Sequence, residues 1–223
     1  MRITLASGTE AEIARADAPD AFGLVIAPDI FGLRPLYDGL VARLSREWSM
    51  SVCAVEPFPG QTLGPDVDPR FAAVPAIDDE THLRDLEEAA NVLGTERVGL
   101  LGFCLGGMYC HKAARSARFD RIVSFYGMIR VPEAWRSPTQ AEPLEILAAG
   151  RADRVLAIVG GRDHYTPADD VDALEATGVT VVRYPEAEHG FAHDAARPAH
   201  RPDDAADAFA RAEAWLRGSP REL

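Results

Sequence analysis

Short apolar runs alternate along the chain with longer segments in which apolar side chains recur every three or four positions. Apolar runs rich in β-branched residues predict buried strands, and the longer period predicts helices that each bury one face. Strands are predicted over residues 3–5 and 12–16, which form a leading hairpin, and over residues 23–27, 51–55, 98–101, 122–125, 155–159 and 179–184. Helices are predicted over residues 36–48, 79–93, 105–117, 168–176 and 203–216.

This alternation predicts an α/β protein with a mostly parallel central sheet covered by helices on both faces. No repeat, low-complexity tract or linker divides the chain, so we expect residues 1–223 to form one domain. Residues 57–75 are rich in proline and glycine, show no clear period and are predicted to be a long loop. In sheets of this type, ligands bind beyond the carboxyl ends of the strands.

Charge and cysteine content narrow the range of partners and settings. The 223 residues carry a net charge of −12, which disfavours nucleic acid and anionic membrane surfaces as partners. Residues 1–4 show no secretory pattern, and no run of about 18 apolar residues predicts a membrane span. The three cysteines, Cys53, Cys104 and Cys110, cannot all pair, so we expect a reducing, cytoplasmic setting.

The sequence GFCLGG, residues 102–107, lies between a predicted strand and a predicted helix. Glycines on both sides of Cys104 suit a tight corner from which a nucleophile projects at the start of a helix, as in the nucleophile turn of α/β-hydrolases. Serine is the usual nucleophile there, and this chain has cysteine. Taken alone, the motif fits equally well a glycine-rich turn around a small buried cysteine.

A cysteine nucleophile needs a base and an orienting acid, and two residues follow Cys104 in the required order. Asp163 comes just after the predicted strand at 155–159, and His189 just after the predicted strand at 179–184. Asp163 could instead be an ordinary turn residue. His189 and His193, four positions apart, could bind zinc if they lay on a helix, but Gly190 argues against this and we expect no metal.

Several motifs resemble the dienelactone hydrolase family, from about residue 23 to residue 216: GFCLGG at 102–107, GRDH at 161–164 with Pro167, HGFA at 189–192, DIFG at 29–32 and SFYG at 124–127. The resemblance implies an α/β-hydrolase fold without a cofactor, in which Cys104 is the nucleophile, His189 the base and Asp163 its partner. It also implies that the backbone N–H groups of Leu105 and Ile30 stabilise an oxyanion. The implied substrate is a small ester or lactone. We expect a monomer or a homodimer.

Two positions depart from the family pattern. Asp29 stands where the dienelactone-cleaving members carry glutamate, and the resemblance implies a thiol-supporting acid there. His193 stands where those members carry an arginine that helps to hold the substrate carboxylate. Loss of this bidentate cation favours a neutral or differently shaped ester over dienelactone itself.

Further candidates for substrate contact are His193 itself, Arg70 and Phe71 in the long loop, and Tyr37 after the Asp29 loop. Two alternatives to a lactone or ester hydrolase of this family stay open. One is a generic esterase or thioesterase of the same fold, and the other is a catalytically silent binding protein that keeps the fold.

Overall fold

The computed structural model describes residues 1–17 and 22–218. The strands are β1 (Arg2–Thr4), β2 (Glu10–Ala14), β3 (Phe22–Ala27), β4 (Ser51–Val55), β5 (Arg97–Phe103), β6 (Arg121–Phe125), β7 (Val155–Gly160) and β8 (Thr180–Tyr184). They form one eight-stranded sheet in the order β1-β2-β4-β3-β5-β6-β7-β8. β2 pairs antiparallel with β1 and with β4, and every other neighbouring pair is parallel. The predicted α/β class with a mostly parallel sheet is therefore confirmed.

Helices cover both faces of this sheet. They are α1 (Pro35–Glu47), α2 (Val67–Ala73), α3 (Asp79–Leu93), α4 (Leu105–Lys112), α5 (Pro143–Ala149), α6 (Ala168–Ala176) and α7 (Pro202–Leu216). Helices α1 and α7 share a buried cluster that includes Leu44 and Phe209. Helices α3, α4 and α6 belong to a second cluster, which includes Leu86 and Met108. Successive residues of β3 alternate between the two clusters, as expected for a strand covered on both faces.

The ends of several elements differ from the prediction. Helices α3 and α6 have the predicted bounds. The helix predicted over residues 105–117 ends at Lys112 and continues as a 3-10 turn, Ala113–Arg115. Helix α5 was not predicted, because its seven residues are too few to show a helical period.

The prediction of a continuous loop over residues 57–75 is wrong. This segment contains α2, and a 3-10 turn, Val74–Ala76, follows directly. None of the seven residues of α2 is buried, and its half-buried Val67 and Phe71 are too few to reveal a helical period. Among the described residues, no helix combines the length and apolar character that a membrane span requires.

Candidate active site

Cys104 lies in the tight turn between β5 and α4. Its backbone φ of 56° falls in the left-handed region, which residues with a side chain rarely adopt. The neighbouring glycines are needed for space: a Cβ atom at Gly106 would lie 1.9 Å from the carbonyl oxygen of Ala27, and one at Gly102 would lie 2.3 Å from the carbonyl oxygen of Gly106. The turn thus presents a half-buried Cys104 at the N-terminus of α4.

Asp163 and His189 form a buried hydrogen-bonded pair. The Nδ1 atom of His189 lies 2.8 Å from Oδ2 of Asp163, and Oδ1 of Asp163 accepts the backbone N–H of Tyr165 at 2.8 Å. The loops that carry the two residues are joined by their backbones, because the N–H of Gly161 donates to the carbonyl of Tyr184 at 2.8 Å. The acid and the imidazole are therefore held in a fixed relation at the ends of β7 and β8.

The second ring nitrogen of His189 is buried and has no hydrogen-bond partner within the described residues. Burial is the largest influence and lowers the pKa of His189, but the nearby Cys104 and the Asp163 carboxylate together outweigh it and raise that pKa to about 10. Because Asp163 occupies Nδ1, the Nε2 atom is the one that can exchange a proton with the thiol.

Cys104 and His189 line one cavity of about 250 Å³. Most of the remaining lining is apolar and consists of Phe31, Val67, Phe71, Met128 and Trp135. Tyr165 also lines the cavity and packs edge-on against His189, with 4.7 Å between the ring centroids. The size and the lining suit a small, partly apolar organic molecule.

Two backbone N–H groups near Cys104 have no hydrogen-bond partner among the described residues. Leu105 is the first residue of α4, so its N–H has no intrahelical acceptor. Ile30 lines the same cavity as Cys104, and its carbonyl oxygen accepts a hydrogen bond from Arg70 at 3.2 Å. Within residues 1–17 and 22–218, neither the Ile30 nor the Leu105 N–H donates a hydrogen bond.

Asp29 and His193 contact each other instead of the groups expected from the sequence. Oδ2 of Asp29 lies 2.8 Å from Nε2 of His193, and Arg34 donates two hydrogen bonds to the same carboxylate, at 2.6 and 2.9 Å. Nδ1 of His193 lies 2.5 Å from the hydroxyl oxygen of Tyr126, and the imidazole is completely buried. His193 therefore does not reach the cavity, and Asp29, although it lines the cavity, forms no hydrogen bond with Cys104.

Of the other predicted substrate contacts, Phe71 lines the cavity and Arg70 and Tyr37 do not. Arg70 donates to backbone carbonyl oxygens, among them that of Ile30, and lines an adjoining groove. Tyr37 is completely buried, and its hydroxyl oxygen accepts the backbone N–H of Asp29 at 2.7 Å. Both residues brace the loop that follows β3.

Arg197 lines both the Cys104 cavity and the adjoining groove of about 570 Å³, and no sequence signal pointed to it. Its guanidinium has no hydrogen-bond or ion-pair partner in the described part of the chain. Gly190 leaves room for it: this glycine has a φ of +78°, and a Cβ atom there would lie 2.7 Å from a terminal nitrogen of Arg197. A single arginine in a loop without periodicity cannot be recognised as a site residue from the sequence. The one related signal is Gly190, directly after His189, where a side chain would collide with Arg197.

The fold and the site together define a class of protein. A mostly parallel sheet with a strained nucleophile-type turn after one strand, and an Asp–His pair after two later strands, is the arrangement of an α/β-hydrolase. The chain matches the model of the dienelactone hydrolase family over residues 61–219. This protein belongs to that family.

Individual relatives agree with the family match. The chain is 30% identical over 197 residues to a carboxymethylenebutenolidase of Rhodococcus opacus. The aligned region covers 84% of this chain and 77% of the relative. It is 29% identical over 196 residues to the carboxymethylenebutenolidase of Pseudomonas putida, covering 80% and 77%. A crystal structure from Klebsiella pneumoniae subsp. pneumoniae MGH 78578, described as a dienelactone hydrolase, has a TM-score of 0.85 at 28% identity and covers 97% of both chains.

Proposed function

We propose that this protein hydrolyses a small lactone or carboxylic ester by acyl transfer through Cys104. The observation that carries the proposal is the convergence of Cys104 and His189 on one cavity, with His189 held by Asp163 at 2.8 Å. The family supports the same substrate class, since several relatives carry the name carboxymethylenebutenolidase. We further propose a cytoplasmic protein of a single domain, as a monomer or a homodimer.

In the first half of the proposed reaction, Nε2 of His189 takes the thiol proton of Cys104, and the imidazolium, held by Asp163, stabilises the thiolate. The sulfur bonds to the substrate carbonyl carbon, and the carbonyl π electrons move onto oxygen. The N–H groups of Leu105 and Ile30 donate to this oxyanion. The carbon–oxygen bond to the leaving group then breaks, His189 protonates the leaving oxygen, and a thioester remains on Cys104.

In the second half, His189 removes a proton from water, and the water oxygen bonds to the thioester carbonyl carbon. The same two N–H groups receive the second oxyanion. The carbon–sulfur bond then breaks and releases the carboxylic acid, and His189 returns its proton to the thiolate of Cys104. The cycle returns both residues to their starting state with water as the only co-reactant.

Arg197 favours a substrate that carries a negative charge. The Arg197 guanidinium, which has no partner among the described residues, can hold a carboxylate at the cavity through two parallel hydrogen bonds. The sequence favoured a neutral ester, because position 193 lacks the family arginine. Arg197 supplies a cation to the cavity from a different position of the chain, and this observation supports an anionic substrate instead.

The test compares wild type with Cys104→Ala on a dienelactone, an acyclic ester and a thioester. We expect Cys104→Ala to lower kcat/KM on the order of 10³-fold or more, and mass spectrometry of briefly exposed wild type to show an acyl group on the Cys104 peptide. Cys110→Ala, in the same helix, is the matched control and should keep its activity. Full activity of Cys104→Ala would contradict the thiol mechanism.

The same measurements separate the alternatives. A generic esterase or thioesterase would turn over the acyclic ester or the thioester faster than the lactone. A silent binding protein would turn over none of the three substrates and form no acyl adduct.

A further inference from the structure

Two Asp–His pairs lie close to Tyr126. One is Asp163–His189, and the other is Asp29–His193. The ring of Tyr126 lies 5.2 Å from that of His189 and 5.8 Å from that of His193, measured between centroids. The first pair has a role in the proposed chemistry, whereas the second has none so far.

The second pair forms a complete buried network. Nε2 of His193 lies 2.8 Å from Oδ2 of Asp29 and Nδ1 lies 2.5 Å from the hydroxyl oxygen of Tyr126, so both ring nitrogens have a partner. Burial raises the pKa of Asp29, but hydrogen bonds from His193 and Arg34 outweigh this and hold that pKa well below its usual range. Asp29 is therefore a fixed anion with Arg34 as its counter-ion, and its geometry does not suit a base for the thiol.

The Asp29 anion shapes the loop that carries Ile30. Oδ1 of Asp29 accepts the N–H of Phe31 at 3.0 Å, and the N–H of Asp29 donates to the hydroxyl of Tyr37 at 2.7 Å. The carbonyl of Asp29 accepts the N–H of Gly32 at 2.9 Å. These hydrogen bonds fix the backbone on both sides of Ile30 and leave the Ile30 N–H itself free to donate.

The network also reaches the nucleophile turn. The ring of Phe103 stacks on His193, with 4.6 Å between centroids and 18° between planes. Phe103 directly precedes Cys104 in the chain. One buried imidazole thus contacts both the loop that carries Ile30 and the strand end that carries Cys104.

We infer that Asp29 and His193 are positioning residues that set the place of the Ile30 N–H relative to Cys104. The inference rests on the proposed function, because it concerns an oxyanion formed at Cys104. A misplacement of about 1 Å can lower a reaction rate on the order of 10²-fold, so such a network can control turnover without contact with the substrate. It replaces the thiol-supporting role expected for Asp29 and the substrate contact expected for His193.

The main test is His193→Phe, which keeps an aromatic ring against Phe103 and removes both hydrogen bonds. We expect kcat to fall roughly 10- to 100-fold, with KM changed less than about threefold. His193→Gln keeps a donor toward Asp29 and should recover part of the loss. His200→Phe, at a half-buried histidine outside the network, is the matched control and should behave as wild type. An unchanged kcat in His193→Phe overturns the inference.

A second readout distinguishes positioning from thiol activation. The pH profile of Cys104 alkylation by iodoacetamide should coincide in wild type, His193→Phe and Asp29→Asn, since thiolate formation depends on His189. A shifted profile in Asp29→Asn would show that Asp29 acts on the thiol, and would overturn the inference.

Circular dichroism checks that the variants fold. If His193→Phe does not fold, Tyr126→Phe removes a single hydroxyl from the network and provides the same comparison, with a kcat loss of about threefold or more; an unchanged kcat there overturns the inference. Failure of the proposed function looks different, because either wild type would then turn over none of the substrates or Cys104→Ala would stay active.

Discussion

Two parts of the cavity lining are built in different ways. The sheet edge, defined as Cys104, Asp163 and His189, consists of residues that follow β5, β7 and β8. The α2 wall, defined as Val67, Phe71 and Trp135, consists of half-buried side chains on α2 and a tryptophan in a 3-10 turn. Asp163 and His189 are buried and hydrogen-bonded, whereas α2 has no buried residue at all. The parallel sheet fixes the proposed reacting groups, and a half-buried helix together with Trp135 shapes the space around them.

This difference indicates how sequence change should act on the protein. Substitutions at the sheet edge should alter the rate of the chemical step, because in the proposed mechanism these residues contact the reacting atoms or orient those that do. Substitutions at the α2 wall should alter which molecules enter, because Phe71 and Trp135, whose ring centroids lie 5.6 Å apart, line the cavity.

The largest effect of the three variants considered next is expected for Asp163→Asn at the sheet edge. The amide no longer stabilises a protonated His189 and favours the wrong tautomer, so the pKa of His189 falls and kcat should drop on the order of 10²- to 10⁴-fold. Steady-state kinetics at pH 7 and pH 9 should show the loss at both values, since a higher pH does not restore the tautomer. Asp169→Asn, at an exposed position of α6, is the control and should leave kcat unchanged. Near-normal turnover by Asp163→Asn would contradict the expectation that the sheet edge controls the rate and the α2 wall does not.

An intermediate effect is expected for Arg197→Gln, between the two parts. Loss of one charge-assisted contact, about 1.5 kcal/mol, should raise KM roughly tenfold for a hemi-ester of a dicarboxylic acid. A neutral ester of the same length should keep its KM. Arg84→Gln, at an exposed site on α3, serves as the control. Equal losses on both esters would mean that the variant damages the loop instead of removing an anion contact.

The smallest effect is expected for Phe71→Ala in the α2 wall. The half-buried ring contributes little to the core, so the melting temperature should change by only about 1–2 °C. KM for small esters should rise about threefold and the preference should move toward bulkier acyl groups, because the cavity becomes wider. Met128→Ala, at a buried lining residue, should lower the melting temperature more. A loss of kcat in Phe71→Ala comparable to that of Asp163→Asn would show that the wall takes part in the chemistry.

The same contrast explains what could be predicted from the sequence. Cys104, Asp163 and His189 each follow a strand whose apolar run is visible, so their order and their shared edge could be predicted. Helix α2 has only seven residues and none of them is buried, so it shows no clear period. The contact between Asp29 and His193 joins positions 164 residues apart and depends on tertiary packing, which no local pattern encodes.

The left-handed backbone at Cys104 lowers the stability of the fold at the position that the proposed activity requires. A residue with a side chain held in that region costs about 1–3 kcal/mol, and the cost falls on the one position that cannot change without loss of the proposed nucleophile. Cys104→Gly would relieve the backbone and leave a sturdier but inert protein. A library of variants selected by heating alone should therefore enrich inactive chains at this position, and a useful selection has to reward turnover as well as survival.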